Sequence, residues 1–336
     1  MKSTFVIQRY VPGKDAAPHF ERYELDLWDE ATILDGLNYI KDNEDDSLSY
    51  RRACRHAICG SCAMVVNGYT KLVCTTPIAS ELKSGRSEIR IAPLRAMKPI
   101  KDLVVDMSAF WQHFRDVEPW LQPDEAAVPG PNEEYRVTPE QIAASRKDLN
   151  CILCAVCFSD CGVVEVDPHF PGPPALAKAH RYVMDPRDDK RKERLQRLVD
   201  LGVWDCAHAY NCMECPKHVD PAHAIAELRR LSIEAGITGN IGAKHSQQFT
   251  KSIGRGGRLD ETRLVLELTG ITNVAGQIRN APQGTRMLLK GKLPLPMHQK
   301  VDNPKEVHRI FKAVNAGQQA DNQKDGNVQV TSGSGR

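Results

Sequence analysis

Eleven cysteines occur in this chain of 336 residues, and all of them belong to three runs along the sequence. The first run is Cys54, Cys59, Cys62 and Cys74, the second is Cys151, Cys154, Cys157 and Cys161, and the third is Cys206, Cys212 and Cys215. Cysteine side chains of this kind form disulfides, bind zinc or bind iron–sulfur clusters. The start of the chain, MKSTFVIQRYVPG, lacks the apolar core of a signal peptide. We therefore expect a cytoplasmic protein, in which cysteine runs indicate metal binding or catalysis rather than disulfides.

The first run has the spacing C-x4-C-x2-C-x11-C, which begins like the 2Fe-2S loop of plant-type ferredoxins. In that arrangement a tight loop surrounds one edge of the cluster and a distant cysteine binds the other edge. Zinc sites more often use two short cysteine pairs on separate turns. The predicted 2Fe-2S ligands, named ligand set A, are Cys54, Cys59, Cys62 and Cys74. Small residues in the loop let backbone N–H groups approach the sulfur atoms, and they are Ala57, Gly60, Ser61 and Ala63.

The second run reads C-x2-C-x2-C-x3-C, the spacing of bacterial 4Fe-4S proteins, with Gly162 at the position where a proline usually follows. The fourth cysteine of such a run ligates a different cluster when two are present. The fourth ligand of the first cluster must then come from the third run, where Cys215 precedes Pro216. Ligand set B, predicted to bind 4Fe-4S, is therefore Cys151, Cys154, Cys157 and Cys215.

Three cysteines remain for a last cluster, and three thiolates suit a 3Fe-4S cluster, which is a cube that lacks one iron. This ligand set C is Cys161, Cys206 and Cys212. Ala209 occupies the position that would complete a ferredoxin-like triplet, and alanine cannot bind iron. His208 is close in sequence and is open to three interpretations: a fourth ligand, a hydrogen-bond donor or a packed side chain. Zinc fits these seven cysteines poorly because two tetrahedral sites need eight ligands.

The elements around the cysteines predict an α+β fold with several domains. Alternating apolar residues predict strands near Phe5–Tyr10, Tyr23–Leu27 and Ile89–Ile91, and Thr32–Lys41 has the periodicity of a helix. Further helices are predicted at Asp188–Leu201, from Asp220 to Ala235, at Asp260–Leu268 and at Pro304–Val314. The predicted divisions are a 2Fe-2S domain at 1–117, a linker at 118–137, a helical 4Fe-4S/3Fe-4S domain at 138–240, a helical extension at 241–316 and a disordered tail at 317–336.

The composition excludes some classes of function. With 45 basic and 43 acidic residues the chain has no overall field for a polyanion, so nucleic acid is not expected as a partner. No run of about 18 apolar residues is present, so we expect no transmembrane helix. No Ser/His/Asp or paired-carboxylate pattern is apparent in the sequence, which agrees with a chain that does no substrate chemistry itself.

The order of these motifs resembles the iron–sulfur subunits of succinate dehydrogenase and fumarate reductase. The resemblance covers about residues 5–235, and its most specific segments are CRHAICGSCAMVVNG, PLRAMKPIKDLVVDM, CILCAVC and NCMECPKHVDPAHAIAELR. It implies a β-grasp 2Fe-2S domain followed by an all-α, bacterial-ferredoxin-like domain. It also implies an FAD-containing flavoprotein partner for succinate and fumarate, and a membrane anchor with quinone and, in some members, heme b. The subunit would then be peripheral, on the cytoplasmic face of the cytoplasmic membrane.

Two departures from that family pattern concern the last cluster. Members usually have C-x5-C-x3-C-P in the third run, whereas Cys212 and Cys215 are separated by only two residues. Members that reduce ubiquinone carry tryptophan after the second run and histidine after the first cysteine of the third run. Here the corresponding residues are Gly162–Val166 and Ala207. The sequence therefore favours a low-potential quinone such as menaquinone, or another electron acceptor altogether.

The segments GRGGRLDETRLVLELTG and RMLLKGKLPLP, beyond residue 240, resemble the tails of heterodisulfide-reductase-type iron–sulfur subunits. One interpretation is a helical tail that clamps the flavoprotein or the anchor. A second is a heterodisulfide or thiol:fumarate reductase system, with a cysteine-rich neighbouring subunit. A third function class, a zinc-stabilised interaction module, remains as the alternative to electron transfer.

Overall fold

Strands within residues 2–105 form a five-stranded sheet and a small hairpin in the computed structural model. The described residues are 1–82, 85–130, 132–270, 272–292, 303 and 305–314. The sheet order is β2-β1-β5-β3-β4, in which β1 runs parallel to β5 and the other neighbours are antiparallel. The hairpin pairs β6 with β7. The strands are β1 (Lys2–Arg9), β2 (His19–Asp26), β3 (Ala63–Val66), β4 (Tyr69–Leu72), β5 (Glu88–Ala92), β6 (Pro99–Lys101) and β7 (Val104–Val105).

Helix α1 (Ile33–Asn43) packs on this sheet, and the short helix α2 (Ile78–Leu82) lies before β5. Thr32 caps α1 by accepting a hydrogen bond from the backbone N–H of Asp35, whose side chain accepts from Thr32 in return. This capping box explains why the helix starts where the sequence predicts. A Cβ atom on Gly36 would lie 2.5 Å from the ring of Phe5. A glycine is therefore required for the helix to pack this closely on β1.

A buried ionic network connects the sheet to the β6–β7 hairpin. The Asp102 carboxylate is fully buried and accepts hydrogen bonds from Arg9 Nε at 3.1 Å, from the Tyr10 N–H at 3.1 Å and from the Ser49 N–H at 2.9 Å. Arg9 also contacts Asp45. Burial opposes the charge on Arg9, but its hydrogen bonds with Asp45 and Asp102 outweigh that effect and raise the Arg9 pKa. The network is stable because each charge has partners.

Replacing Asp102 by alanine should lower the free energy of unfolding by about 3 kcal/mol, because it leaves the buried Nε of Arg9 and the partly buried N–H of Ser49 without their acceptor. The measurement is the urea dependence of far-UV circular dichroism. Asp29→Ala is the matched control, since the Asp29 side chain is 86% exposed and should change the unfolding free energy by less than about 0.5 kcal/mol. Equal effects of the two substitutions would contradict the role given to Asp102.

Helices follow the sheet and belong with it to one compact unit, Met1–Ile237. Helix α7 (Gly172–Val183) packs against α8 (Arg191–Asp200) and α9 (Pro221–Glu234). The predictions for α8 and α9 are confirmed, with Asp220 as the N-cap and Ala235 as the C-cap of α9. The helices are α3 (Ser108–Asp116), α4 (Pro139–Ala143), α5 (Val156–Ser159), α6 (Gly162–Val166), α7 (Gly172–Val183), α8 (Arg191–Asp200) and α9 (Pro221–Glu234).

The segment predicted as a linker is anchored at its start by Arg194 of α8. The Arg194 guanidinium, only 3% exposed, donates to the carbonyls of Glu118 and Trp120 and pairs with Asp188 at 2.8 Å. The Gln122 N–H also donates to Asp188. Residues 118–122 thus follow the surface of the helical part, and the predicted domain boundaries stay predictions.

The second unit begins at Thr238 and contains helices α10 (Ile241–Gly256), α11 (Glu261–Thr269) and α12 (Val274–Leu289), and residues 305–314 are also helical. The predicted α11 and the helix near 305–314 are confirmed, whereas α10 and α12 were not predicted. Glycines and the internal Pro282 of α12 disfavour helices, which explains that omission. The predicted disordered tail at 317–336 and residues 293–302 lie outside the described residues. No helix among the described residues has the length and apolarity needed to cross a bilayer.

Candidate metal centres

The loop that carries ligand set A directs its backbone N–H groups at sulfur. The N–H groups of Ile58 and Cys59 each lie 3.3 Å from Cys54 Sγ, and the Ala57 N–H lies 3.3 Å from Cys74 Sγ. Backbone hydrogen bonds, led by that of His56, lower the pKa of Cys54 to about 6. Cys62 is buried, and burial beside Cys74 raises its pKa to about 12. All four predicted residues of set A are therefore brought together at one end of the sheet.

Left-handed backbone is concentrated beside the cysteines. Six of the twelve non-glycine residues with positive φ in the described part of the chain lie within two residues of a cysteine. They are Arg55, Ala57, Leu153, Ala155, His208 and Tyr210. Alternation of right- and left-handed residues turns successive N–H groups to the same side, which makes concave sites for anions, including iron–sulfur clusters. The loops thus fit an anionic cluster and not only a set of thiols.

Ligand set B lines one cavity. Cys151, Cys154, Cys157 and Cys215 all contribute to its wall, together with apolar neighbours such as Val156 and Pro174. Burial, with the nearby Cys215 and Cys151, raises the pKa of Cys154 to about 11. Cys157 is also buried, which raises its pKa well above the usual value. The structure thus places Cys215 with the first three cysteines of the second run.

Ligand set C comes together next to Cys157. Burial, followed by the charges of Cys206 and Cys161, raises the pKa of Cys212 to about 11, and Cys206 likewise contributes to the raised pKa of Cys161. Cys212 lies in a short 3-10 turn, Asn211–Met213, after the left-handed Tyr210. That turn lets Cys212 and Cys215 face different sets although only two residues separate them.

The three sets are arranged in series. A Cβ atom on Gly60, in the loop of set A, would lie 2.8 Å from Cys154 Cβ and 2.9 Å from Cys154 Cα of set B. Cys157 of set B packs against Cys212 of set C, with Ala222 as a third member of that buried contact. Set B is therefore the middle of the three.

Among the described residues, no three side chains of His, Cys, Asp or Glu converge closely enough to hold one metal ion. A zinc ion needs ligand atoms about 2.0–2.3 Å from one point.

Comparison with known proteins identifies the cysteine-bearing part of the chain. Residues 4–112 match the 2Fe-2S iron-sulfur cluster binding domain, and residues 148–219 match the 4Fe-4S dicluster domain. The fumarate reductase iron-sulfur subunit of Mycobacterium tuberculosis is 43% identical over 226 residues, which cover 66% of this chain and 90% of that protein. The chain belongs to the family of succinate dehydrogenase and fumarate reductase iron–sulfur subunits.

Two further comparisons agree with this membership. The mitochondrial succinate dehydrogenase [ubiquinone] iron-sulfur subunit 1 of Oryza sativa is 40% identical over 237 residues, covering 69% of this chain and 83% of that protein. A chain of the Mycobacterium smegmatis Sdh1 complex in the apo form superposes with a TM-score of 0.62 at 26% identity, covering 69% of this chain and 96% of that chain. The predicted family and the predicted α+β fold with two ferredoxin-type parts are confirmed.

Asp160 holds the two cluster-binding parts of this iron–sulfur subunit together. Its carboxylate accepts hydrogen bonds from the N–H and hydroxyl of Thr70 in β4, and it pairs with Arg95 Nη1 at 3.1 Å. The preceding Ser159 accepts from the Arg95 N–H at 2.9 Å. The Asp160 carbonyl accepts from Asn211 of the third run at 3.0 Å. Asp160 thus connects the sheet, the second run and the third run beside Cys161.

His208 is held by Arg229 of α9 in this family member. Arg229 Nη1 lies 2.5 Å from His208 Nε2, while other Arg229 nitrogens donate to the carbonyls of Val203 and Cys206 at 2.9 and 2.8 Å. Burial and the Arg229 charge lower the pKa of His208, so its imidazole is neutral at pH 7. Because Nε2 faces Arg229, the structure favours a hydrogen-bonded, packed role for His208 over the alternative of a fourth ligand.

Gly60→Ala should lower the free energy of unfolding by about 2–4 kcal/mol. Its φ of +72° is unfavourable for alanine, and the added methyl group overlaps the backbone of Cys154. Gly68→Ala is the matched control, because Gly68 has a φ of +89° but nothing within 4 Å of the new Cβ, so only about 1 kcal/mol of strain is expected. Urea unfolding followed by circular dichroism compares the two. A Gly60 effect no larger than the Gly68 effect would refute the close contact between sets A and B.

Proposed function

We propose that this subunit carries electrons between an FAD-containing flavoprotein, where succinate and fumarate interconvert, and a quinone at a membrane anchor. When bound, three iron–sulfur clusters supply a series of one-electron carriers. The observation that carries the proposal is the serial arrangement of the three cysteine sets in one compact unit. The chain's own role is to hold the clusters, to set their surroundings and to fix their separation.

The proposed ligands follow the three sets. Set A (Cys54, Cys59, Cys62 and Cys74) holds 2Fe-2S, set B (Cys151, Cys154, Cys157 and Cys215) holds 4Fe-4S, and set C (Cys161, Cys206 and Cys212) holds 3Fe-4S. Support comes from the N–H groups directed at sulfur in set A and from the cavity that the set B cysteines share. In set C, burial raises the pKa of Cys212, and the charges of the other two thiols raise it further. The matches to two cluster-binding domains favour iron–sulfur clusters over the zinc alternative.

The proposed partners are the flavoprotein, a membrane anchor that carries quinone and, in some systems, heme b. The subunit would then lie peripherally on the cytoplasmic face of the cytoplasmic membrane. We propose menaquinone as the quinone because the two departures from the ubiquinone-type pattern flank set C. Helix α6 (Gly162–Val166) starts directly after Cys161 and exposes Val166, and the exposed Ala207 follows Cys206.

The complex purified anaerobically from membranes of the native organism tests this function. We expect a flavoprotein and an anchor to co-purify, and a menaquinol analogue to support fumarate reduction faster than a ubiquinol analogue. Electron paramagnetic resonance should show a 3Fe-type signal in the oxidised complex and 2Fe-2S and 4Fe-4S signals on reduction. Equal turnover with both quinones would remove the menaquinone assignment. Purification of the complex without a flavoprotein would refute the proposed electron transfer between a flavoprotein and a quinone.

The heterodisulfide or thiol:fumarate alternative rests on the sequence of the tail alone. It predicts a co-purifying subunit rich in additional cysteines in place of the heme-binding anchor. Identification of the subunits by mass spectrometry separates the two functions. The family membership favours the succinate and fumarate system.

Ala209→Cys should supply a fourth thiolate to set C and convert the oxidised 3Fe signal into a 4Fe-4S signal of the reduced protein. Ala209 lies between two left-handed residues in the loop that joins Cys206 to Cys212. Ala207→Cys is the control, since Ala207 is exposed in the same loop but does not occupy the ferredoxin-like position. Iron analysis and electron paramagnetic resonance provide the measurement. No gain of iron in Ala209→Cys would mean that the shortened third run has moved this position away from the cluster.

A further inference from the structure

Charge is distributed unevenly along the chain. Residues 1–240 contain 30 Lys and Arg against 36 Asp and Glu, a net charge of −6, whereas residues 241–300 contain 10 against 3, a net charge of +7. The net charge of +2 for the whole chain thus combines an acidic body, residues 1–240, with a basic extension, residues 241–300. A local excess of this size attracts anionic surfaces even when the whole chain is nearly neutral.

Helix α12 (Val274–Leu289) carries part of this excess and buries none of its residues. Its large apolar side chains face solvent, with Val274 and Ile278 each 67% exposed, Leu288 57% exposed and Leu289 82% exposed. Isolated helices of this length are marginally stable in water, so most helices in proteins depend on packing of an apolar face. The exposed face of α12 indicates a partner.

The apolar and basic residues of α12 occupy neighbouring faces. At 100° per residue, Val274, Ile278 and Leu288 fall on one stripe, with Leu289 at its edge. Arg279, Arg286 and the adjoining Lys290 fall together beside that edge. The helix contains no Asp or Glu. An aliphatic stripe with cations along one flank is the pattern of helices that lie in a membrane interface.

We infer that α12 lies flat on an anionic phospholipid surface, with its aliphatic stripe among the acyl chains and Arg279, Arg286 and Lys290 at the headgroups. Charge complementarity favours lipid, because the flank is purely basic and the bilayer surface is anionic. A protein interface is less favoured, since such interfaces are rich in aromatic anchors and α12 has none. This surface contact goes beyond electron transfer and does not depend on the identity of the quinone.

Sedimentation with lipid vesicles tests the inference on the purified full-length chain with its clusters in place. Two kinds of vesicle are compared. One contains phosphatidylcholine alone, and the other contains phosphatidylcholine with about 30% phosphatidylglycerol. We expect binding to the anionic vesicles to weaken as salt is raised. The triple variant Arg279→Gln, Arg286→Gln and Lys290→Gln should bind them about 100-fold more weakly, since each cation near the surface contributes a factor of about five. The double variant Ile278→Asn and Leu289→Asn should also weaken binding at constant charge.

The matched control removes three cations from the body, with Lys190→Gln, Arg191→Gln and Lys192→Gln near the start of α8. It should change vesicle binding by less than about threefold. The inference is overturned if the control and α12 variants weaken binding equally, or if the wild-type chain does not bind anionic vesicles. It is also overturned if the α12 triple variant keeps vesicle affinity but loses a co-purifying subunit, because the occupant is then a protein. Unchanged cluster spectra in all variants separate this result from a failure of the electron-transfer proposal.

Discussion

The contacts of Asp160 are the constraint on which the arrangement of the three cysteine sets depends. Its side chain is 13% exposed and joins Thr70 and Arg95 of the sheet-bearing part, while its carbonyl accepts from Asn211. Cys161 is the next residue, and Cys157 lies one helical turn earlier. A single residue between two predicted ligands thereby connects the second run to strand β4, to Arg95 and to the third run. A polar junction in which a partly buried carboxylate has several partners resists small displacements of the elements that it joins.

Burial of the thiols has a second consequence, for assembly. Burial raises the pKa values of Cys154, Cys157 and Cys212, so without iron these thiols favour the protonated form. Iron binds thiolates, and loading of the clusters must therefore release protons and offset the burial of charge. At Cys54, hydrogen bonds from backbone N–H groups lower the thiol pKa and so favour the thiolate that iron binds. Folding of the loops and incorporation of the clusters are expected to depend on each other.

Much of the fold follows from local sequence signals. Thr32 and Asp35 form the capping box that starts α1, and Asp220 followed by Pro221 starts α9, so both helices begin where their sequences predict. Helices α10 and α12 were not predicted because both contain glycines, which have low helix propensity, and α12 also contains Pro282. No sequence pattern predicts the Asp102 network either. It joins residues 93 positions apart, and no local rule connects Arg9 to Asp102.

The sequence by itself determined which kinds of domain this protein contains: the spacings of the first and second cysteine runs predict 2Fe-2S and 4Fe-4S domains, since each cluster type needs a particular loop length between ligands, and both domains are confirmed. It also indicated how the seven cysteines of the second and third runs divide, although the short segment from Cys212 to Cys215 departed from the family pattern. Only the tertiary structure decided how that segment is accommodated, by a 3-10 turn after the left-handed Tyr210. It alone placed Gly60 against Cys154 and Arg229 against His208, because contacts between distant segments arise from packing, which spacing along a chain does not encode.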